Sequence, residues 1–492
     1  MTVRRALFLS TLDRYFTLIA NFLLAAAVSR ILMPTEIGVS VVGMAILGVA
    51  LSVREFASSN FLIQQQTLTR EDVCASFSVM FAFTIVLVTI LIPISPTLAH
   101  IYGEPKLTAY FRVIAICLFT DLVSIQVIAL LRRELAYGHI AIIDIVGTAT
   151  GAVATIILAL TGFSYMSFAW AWLAASMAML VASVMIRRQL WIFRLSFRNW
   201  HGMLRFGGYN GAIALLYKIY ETSPYLLFGS LISPHAAAIF SRSLMICQIP
   251  DKTILGGALS VILPAFSEGA RKGQRLDRPY LHSLEIITAL HWPALLCLSL
   301  LASPIVELVL GRQWSEVVPL VRIIAIASLF SFSFSLNYPL MIAMGALKAT
   351  FIRALISLPL STVIMIVAVV EGGLYWAAWS MMFVIPFQAI VVYTFLHRQL
   401  AMGHLDFVRA LWRSGVTALL TAAGPLCVAA VNGFDWHLSI AQAAVASVLA
   451  GALWMTGLLV TKHPVLKEIL AFKSALQRAL SSNLKLAASA GK

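Results

Sequence analysis

Charged residues are scarce in this chain, because Asp, Glu, Lys and Arg together make up only 11% of its 492 residues. A soluble domain carries about 25% charged residues, so this composition argues against a water-soluble enzyme or binding domain. Hydrophobic residues make up 61% of the sequence instead. A surface that faces water cannot hold so many apolar side chains, and the composition therefore indicates a polytopic membrane protein whose outside contacts lipid.

Motifs that would supply catalysis or hold a cofactor are also missing. The sequence has no ATP-binding loop of the form G-x-x-x-x-G-K-[ST], no D-x-D and no H-E-x-x-H. No two of its ten histidines have metal-ligand spacing on one helix face, and its five cysteines are scattered through apolar stretches. We therefore predict no catalytic residue, no metal and no cofactor, so that any transport depends on an ion gradient, the membrane potential or the flux of substrate.

Long apolar segments recur along the whole chain. A helix needs about 20 apolar residues to cross the bilayer, and this template predicts an all-α protein with fourteen membrane-spanning helices. Arg4 and Arg5 before the first segment imitate a signal peptide, but Asp13 and Arg14 interrupt the apolar run and favour an uncleaved helix. The predicted spans are 7–31, 37–53, 74–95, 109–131, 140–161, 165–186, 208–231, 236–264, 281–303, 318–345, 351–370, 374–396, 413–431 and 438–460.

Basic residues are distributed unevenly between the two sides of these spans. If the N-terminus is cytoplasmic, 26 of the 35 Lys and Arg lie in inside segments or at the inner ends of spans, three in outside loops or at the outer end of a span, and six deeper within spans. Cytoplasmic loops collect Lys and Arg, so we predict that both termini lie in the cytoplasm. The same bias explains the net charge of +15 without a nucleic-acid partner. The basic tail, 463–492, either lies on the anionic inner leaflet or is solvated.

A weak sequence repeat divides the chain. Gly103 recurs as Gly311, 208 residues later, and Gly162 recurs as Gly372 at an offset of 210. The nearly constant offset predicts two six-helix lobes, followed by two further helices and the tail. Because six is even, both lobes insert with the same orientation, as in transporters whose parallel halves enclose a central cavity. The predicted boundaries are 1–190, 191–400, 401–462 and 463–492.

Ionisable residues at membrane depth are the candidate functional residues, because each costs several kcal/mol there. Arginine offers a planar fork of donors to a phosphate, and lysine offers a point charge. Mid-span cations from the first, seventh and eighth spans therefore suit an anionic headgroup. They are Arg14, Lys218, Arg242 and Lys252.

Two mid-membrane carboxylates, Asp121 and Glu221, are candidates for binding a coupling proton or Na⁺. Structural alternatives remain open for some of these residues. Lys218 and Glu221 are three residues apart and share a helix face, so they could form an ion pair. Arg14 could pair with Asp13 or extend towards the inner surface.

Several loop segments resemble those of the bacterial polysaccharide transporters of the Wzx type, and most closely the exporters of exopolysaccharides such as colanic acid or succinoglycan. That family lies in the MOP superfamily with the lipid II flippases and the multidrug and toxin extruders. The resembling segments fall in the same order within residues 29–326. They read SRILMPTEIG, IYGEPKLTAYFRVIAI, ALLRRELAY, RFGGYN, FSRSLMICQIP, LPAFSEG and LGRQWSEVVPLVRIIAI.

The resemblance implies a flippase that moves an undecaprenyl-pyrophosphate-linked oligosaccharide to the periplasmic leaflet by alternating access. It implies membrane lipids as partners, with a polysaccharide polymerase and a chain-length regulator as candidates. A multidrug–cation antiporter is one alternative, but its cavity would be acidic or aromatic, whereas the mid-span groups here are mostly basic. A polymerase or ligase of the same pathway is another alternative, but it would carry a large periplasmic loop, and the outside loops here are short.

Overall fold

The computed structural model describes residues 3–57, 62, 68–196, 198, 200–344, 346–400 and 402–468. Within these residues the chain is almost entirely helical and has no β-strand. A π-helix, Asp251–Leu255, and several short 3₁₀ helices connect the α-helices. The α-helices are α1 (Val3–Ile31), α2 (Pro34–Arg54), α3 (Arg70–Ile101), α4 (Leu107–Arg133), α5 (Tyr137–Leu160), α6 (Met166–Ile186), α7 (Trp200–Leu231), α8 (Pro234–Cys247), α9 (Gly256–Arg271), α10 (Asp277–Leu300), α11 (Ala302–Val309), α12 (Val317–Ala327), α13 (Phe332–Ala343), α14 (Leu347–Leu400), α15 (His404–Val431) and α16 (Ile440–Val460).

Each predicted span lies on these helices to within a few residues. In the described part of the chain, ten helices are long and apolar enough to cross a membrane. The eighth span is divided by the π-helix into α8 and α9, and the tenth is divided between α12 and α13. The eleventh and twelfth spans form the single helix α14, which breaks at Gly373. The all-helical class is confirmed, and the count of fourteen crossings stays a prediction.

Left-handed glycines end several helices, which explains part of the sequence repeat. Gly103 and Gly311 have φ of 66° and 101°, a region that favours glycine because it lacks a Cβ. Gly162 also has a positive φ, of 86°. The sequence repeat matches it to Gly372, but the glycine with a positive φ in the second half of the chain is the next residue, Gly373. A local backbone preference at the ends of helices therefore explains why glycine recurs at these positions, but it does not explain their spacing.

A second pair of helix ends repeats in its hydrogen bonds. The Ala136 amide donates to the carbonyl of Leu131, and the Ala346 amide donates to the carbonyl of Met341, each at 2.9 Å. This closing bond across five residues satisfies a carbonyl that the end of the helix would leave unpaired. The division into two six-helix lobes itself stays a prediction.

The chain forms two compact units. The first comprises Met1–Met245, Val306–Leu320 and Lys348–Val384, and the second comprises Ile246–Ile305, Val321–Leu347 and Ile385–Lys492. A core of the first unit, drawn from α2, α4 and α6, includes fully buried Leu47, Tyr110, Phe111, Ile114 and Leu118. A core of the second, drawn from α10, α13 and α14, includes Tyr280, Leu284, Leu336, Leu340 and Val392.

Helices α2 and α7 of the first unit pack closely through small residues. A Cβ at Gly48 would lie 2.6 Å from Cε of Lys218, and a Cβ at Gly211 would lie 2.6 Å from the ring of Phe56. Residue numbers rise along α2 as they fall along α7, so the two helices run antiparallel. Lipid is as apolar as leucine, and close backbone approach of this kind is what holds membrane helices together.

Candidate functional site

Lys218 and Glu221 form the ion pair that their spacing allows. The Lys218 ammonium lies 3.0 Å from the Glu221 carboxylate, and the two side chains are 35% and 64% exposed. The lysine stem also packs against α2 at Gly48. Each charge is therefore partly neutralised by its neighbour on α7, which leaves Lys218 a weaker anion ligand and Glu221 a weaker ion-binding site than either would be alone.

Arg242 is the predicted cation that is most deeply buried. Its residue is 9% exposed, and its guanidinium lies 5.8 Å from the ring centroid of Trp314. One guanidinium nitrogen contacts the sulfur of Met245 at 3.7 Å, whereas Nε has no hydrogen-bond partner. Among the described residues no carboxylate forms a salt bridge with it. A buried arginine without a counter-charge is costly, so Arg242 is a strong candidate for binding an anion.

Trp314, whose ring faces the Arg242 guanidinium, also helps to hold the segment 308–314 against the end of α1. Its indole N–H donates to the carbonyl of Ser29 at 2.7 Å, and the Gln313 amide donates to the same carbonyl. Arg30 donates to the carbonyl of Leu308. We call these contacts the seam: residues 29–32 against residues 308–314. Most of its acceptors are backbone carbonyls, so the seam depends on the placement of the chain more than on complementary side chains.

A backbone contact lies between α2 and the start of α8. A Cβ on Gly38 would overlap the carbonyl oxygen of Pro234, so no side chain fits at this position in the present arrangement. Pro34 and Pro234 each occupy the first position of their helix, where a missing amide hydrogen costs nothing. The first turn of α2 therefore lies directly against the chain at the start of α8.

Asp121, on α4, has partners that the sequence did not reveal. Its half-buried carboxylate interacts with the guanidinium of Arg54 and with the Trp172 side chain as a hydrogen-bond donor. One Arg54 nitrogen is buried without a hydrogen-bond partner. The sequence placed Arg54 in an inside segment. Its interaction with Asp121 is one of charge rather than a salt bridge in the described chain, and it relates residues 67 positions apart, beyond the reach of any local pattern.

Arg353 is a buried cation that the sequence analysis missed. Its residue is 7% exposed, its Nη2 donates to the Tyr217 hydroxyl at 2.5 Å, and its Nε has no hydrogen-bond partner. Its position near the start of a predicted span suggested an inside residue. Only the packing of α14 on α7 in the first unit shows that the side chain is enclosed.

Arg14 and Lys252 are both exposed. Arg14 lies on α1 in the first unit, with Lys218 and Arg242, whereas Lys252 lies on the π-helix in the second unit. Single-turn π-helices are rare and frequently occur at functional sites. Exposure leaves both cations free to contact lipid or a transported headgroup.

Asp251, the first residue of the π-helix, contacts a histidine that the sequence analysis did not single out. The fully buried ring of His291 contacts the Asp251 carboxylate through Nε2, and the Ser331 hydroxyl donates to the same carboxylate at 3.4 Å. The other ring nitrogen of His291 has no hydrogen-bond partner. The second unit therefore holds a pair of a buried imidazole and a partly exposed carboxylate beside Lys252.

A sequence profile described as polysaccharide biosynthesis protein matches residues 27–319. The match covers more than half of the chain. The protein belongs to the polysaccharide biosynthesis protein family.

Two curated relatives of this family member are named for related processes. It is 22% identical over 374 residues to the succinoglycan biosynthesis transport protein ExoT of Rhizobium meliloti, covering 76% of each chain. It is 20% identical over 350 residues to the lipopolysaccharide biosynthesis protein WzxC of Escherichia coli, covering 70% of each chain.

Solved structures identify the fold. An inward-closed lipid II flippase, MurJ, superposes with a TM-score of 0.75 at 10% identity, over 94% of this chain and 99% of the other. An inward-facing MATE multidrug transporter of the MOP superfamily superposes with a TM-score of 0.66 at 14% identity, over 80% and 98%. This member of the polysaccharide biosynthesis protein family is thus a multi-pass membrane protein with the MOP fold.

The region matched to the polysaccharide biosynthesis protein family contains the residues that the structure brings together. Both sides of the seam fall within 27–319, as does Arg242 between them. The Arg54–Asp121 and Lys218–Glu221 pairs also lie there, whereas Arg353 lies beyond it.

Proposed function

We propose that this protein is a flippase that moves an undecaprenyl-pyrophosphate-linked oligosaccharide across the bacterial inner membrane for exopolysaccharide synthesis. The observation that carries the proposal is Arg242, a buried cation that forms no salt bridge in the described chain. Membership of the polysaccharide biosynthesis protein family supports it, as does the fold shared with a lipid II flippase. The predicted headgroup ligands are Arg14, Lys218, Arg242 and Lys252.

The chemistry of the cargo explains the need for such a cation. An isolated pyrophosphate would meet a prohibitive desolvation cost in hydrocarbon unless protein charges and donors replaced its water. An arginine can present two parallel N–H donors to one phosphate. The unpartnered Nε atoms of Arg242 and Arg353 supply such donors within the first unit.

Alternating access requires contacts that close and open without a large energetic barrier. The seam holds residues 29–32 to residues 308–314 by a few hydrogen bonds, chiefly to backbone carbonyls. Each such bond contributes about 0.5–1.5 kcal/mol net, because water replaces the partner when it breaks. Binding of cargo could supply that energy, so the seam is suited to be a gate that opens without ATP hydrolysis.

A gene deletion tests this function. The deletion strain should lose surface exopolysaccharide and accumulate the lipid-linked repeat unit in the cytoplasmic leaflet, and plasmid-borne wild-type protein should restore export. Normal export with lost resistance to cationic dyes would favour the drug antiporter instead. Accumulation of single repeat units in the periplasmic leaflet would favour a polymerase or ligase.

The predicted topology places both termini and the Arg187–Arg205 segment in the cytoplasm, because 26 basic residues fall on that side. Alkaline phosphatase fused after Arg194 should be inactive, and green fluorescent protein at the same point should fluoresce. A fusion after Lys106, in a predicted outside loop, is the matched control and should give the opposite pattern. An active phosphatase at Arg194 would reverse the orientation.

Asp121 and Glu221 are the proposed coupling carboxylates. Asp121→Asn and Glu221→Gln keep the side-chain shape but cannot exchange a proton, so each should lower export severalfold and weaken its dependence on external pH. Glu316→Gln is the control, because Glu316 is 59% exposed and pairs only with His235 in the described chain. Normal export and an unchanged pH profile in both variants would remove these residues from coupling. Asp251, which contacts the buried ring of His291, would then be the next carboxylate to test.

A further inference from the structure

A basic cavity lies within the second unit, at the first turns of α10 and α15. Its volume is about 1040 Å³, and it is separate from every residue assigned above to the cargo. Four arginines line it, together with one histidine and one tryptophan. They are Arg275, Arg278, His282, Arg409, Trp412 and Arg413. The N-terminal ends of two helices add positive dipole ends to this wall.

Carboxylates neutralise only part of this charge. Arg275 lies 2.9 Å from Asp277 and Arg413 lies 3.4 Å from Glu285, so a carboxylate already offsets the charge of each. Nε of Arg413 is nevertheless buried without a hydrogen-bond partner. Arg409 lies only at 4.0 Å from Asp406, at the limit of an ion pair, and is 75% exposed. Arg278 is exposed and forms no ion pair among the described residues. These two arginines keep donors available for a ligand.

The neighbouring His463 adds no charge to the cavity at neutral pH. It shares a hydrogen bond with the Ser414 hydroxyl at 3.2 Å, and burial, helped by Arg413 and His282, lowers its pKa to about 4. The attraction for an anion therefore comes chiefly from the arginines and not from His463. A ligand that presents a phosphate matches their fork of donors.

An apolar face continues from the cavity along α15. Leu405, Val408, Trp412 and Leu419 are 69%, 60%, 51% and 70% exposed and recur at helical spacing on one side. On a membrane helix such a face contacts acyl chains, and tryptophan prefers the boundary between chains and headgroups. Trp412 belongs both to this face and to the cavity wall. The cation cluster and the chain-binding face are therefore continuous.

We propose that this cavity binds the phosphate headgroup of an anionic phospholipid whose acyl chains lie along the Trp412–Leu419 part of the apolar face of α15. The basic-residue bias puts this end of α10 and α15 on the cytoplasmic side, where the leaflet surface is negative. The occupant is a lipid of the surrounding bilayer rather than the cargo. A soluble anion would use the arginines but would leave the apolar face uncovered.

Binding to the purified full-length protein tests this proposal without any transport. The double variant Arg278→Gln/Arg409→Gln removes the two available arginines. Arg198→Gln is the control, because Arg198 is 73% exposed and lies 2.9 Å from Glu71, outside the cavity. Native mass spectrometry would measure the affinity for phosphatidylglycerol and for phosphatidylcholine. Each arginine near an anionic surface contributes about fivefold, so the double variant should bind phosphatidylglycerol about 25-fold more weakly, while the control stays within about twofold.

Folding and ligand source are checked in the same preparations. Both substituted arginines are exposed, so the melting temperature without added lipid should match that of the wild type. Trp412→Ala should weaken binding of phosphatidylglycerol severalfold while leaving both arginines in place. Equal binding of the two lipids to the wild type, or unchanged binding by the double variant, would overturn the proposal. Inorganic phosphate that stabilised the wild type as much as phosphatidylglycerol would also overturn it, in favour of a free anion.

Discussion

Arg242→Ala should abolish polysaccharide export while the protein still inserts in the membrane. The substitution removes a buried guanidinium that forms no salt bridge among the described residues. A hydrogen bond to a charged group contributes about 1.5–3 kcal/mol, so loss of this contact to a phosphate should lower export roughly 10- to 100-fold. The measurement is surface polysaccharide per unit of membrane-localised protein.

Two further variants separate binding of the headgroup from support of the seam. Arg242→Lys keeps the charge but replaces a bidentate fork with a point charge, so it should restore export only partly. Trp314→Phe keeps an aromatic ring beneath Arg242 but removes the indole N–H that donates to Ser29. If Arg242→Ala exported at the wild-type level while Trp314→Phe did not, the seam would be required for export. Arg242 would then serve only to pack against Trp314.

Local features of the sequence were enough to predict the helices and several of their ends. Apolar runs of about 20 residues specify a membrane helix wherever they occur. A left-handed helix end favours glycine, so Gly103 and Gly311 stand out as a repeated pair. Gly372 and Gly373 are adjacent, however, and their sequence does not show which of them takes the left-handed conformation. The structure assigns it to Gly373.

Partners of the charged residues were predictable only when they lay on the same helix turn. The spacing of Lys218 and Glu221 allowed their ion pair in advance. Asp121 and Arg54 lie on different helices, and so do Asp251 and His291, so no periodic pattern relates them. Burial of Arg353 against Tyr217 depends in the same way on how α14 packs. The sequence therefore identified ionisable candidates but could not show which ones keep a free charge.

Gly38→Ala should hold apart the starts of α2 and α8 and impair the transport cycle. The added Cβ would overlap the carbonyl oxygen of Pro234, a backbone atom that cannot rotate away as a side chain could. Overpacking of this kind costs about 1–3 kcal/mol, which would shift a two-state equilibrium roughly 5- to 150-fold away from the closed arrangement. Export should fall by a similar factor if closure of this contact is an obligatory step.

Accessibility of a nearby cysteine would report the same shift directly. Ala236 is 5% exposed beside this contact, so Ala236→Cys in a background without the five native cysteines should react slowly with a membrane-impermeant maleimide. Adding Gly38→Ala should make the reaction several times faster.

Gly451→Ala is the matched control, because Gly451 lies within α16 and a Cβ there would have no heavy atom within 4 Å. That control should export normally and gain about 0.5–1 kcal/mol of helix stability. Wild-type export and unchanged labelling in Gly38→Ala would contradict the prediction, since they would show that the α2–α8 contact accommodates the added methyl group and does not limit transport.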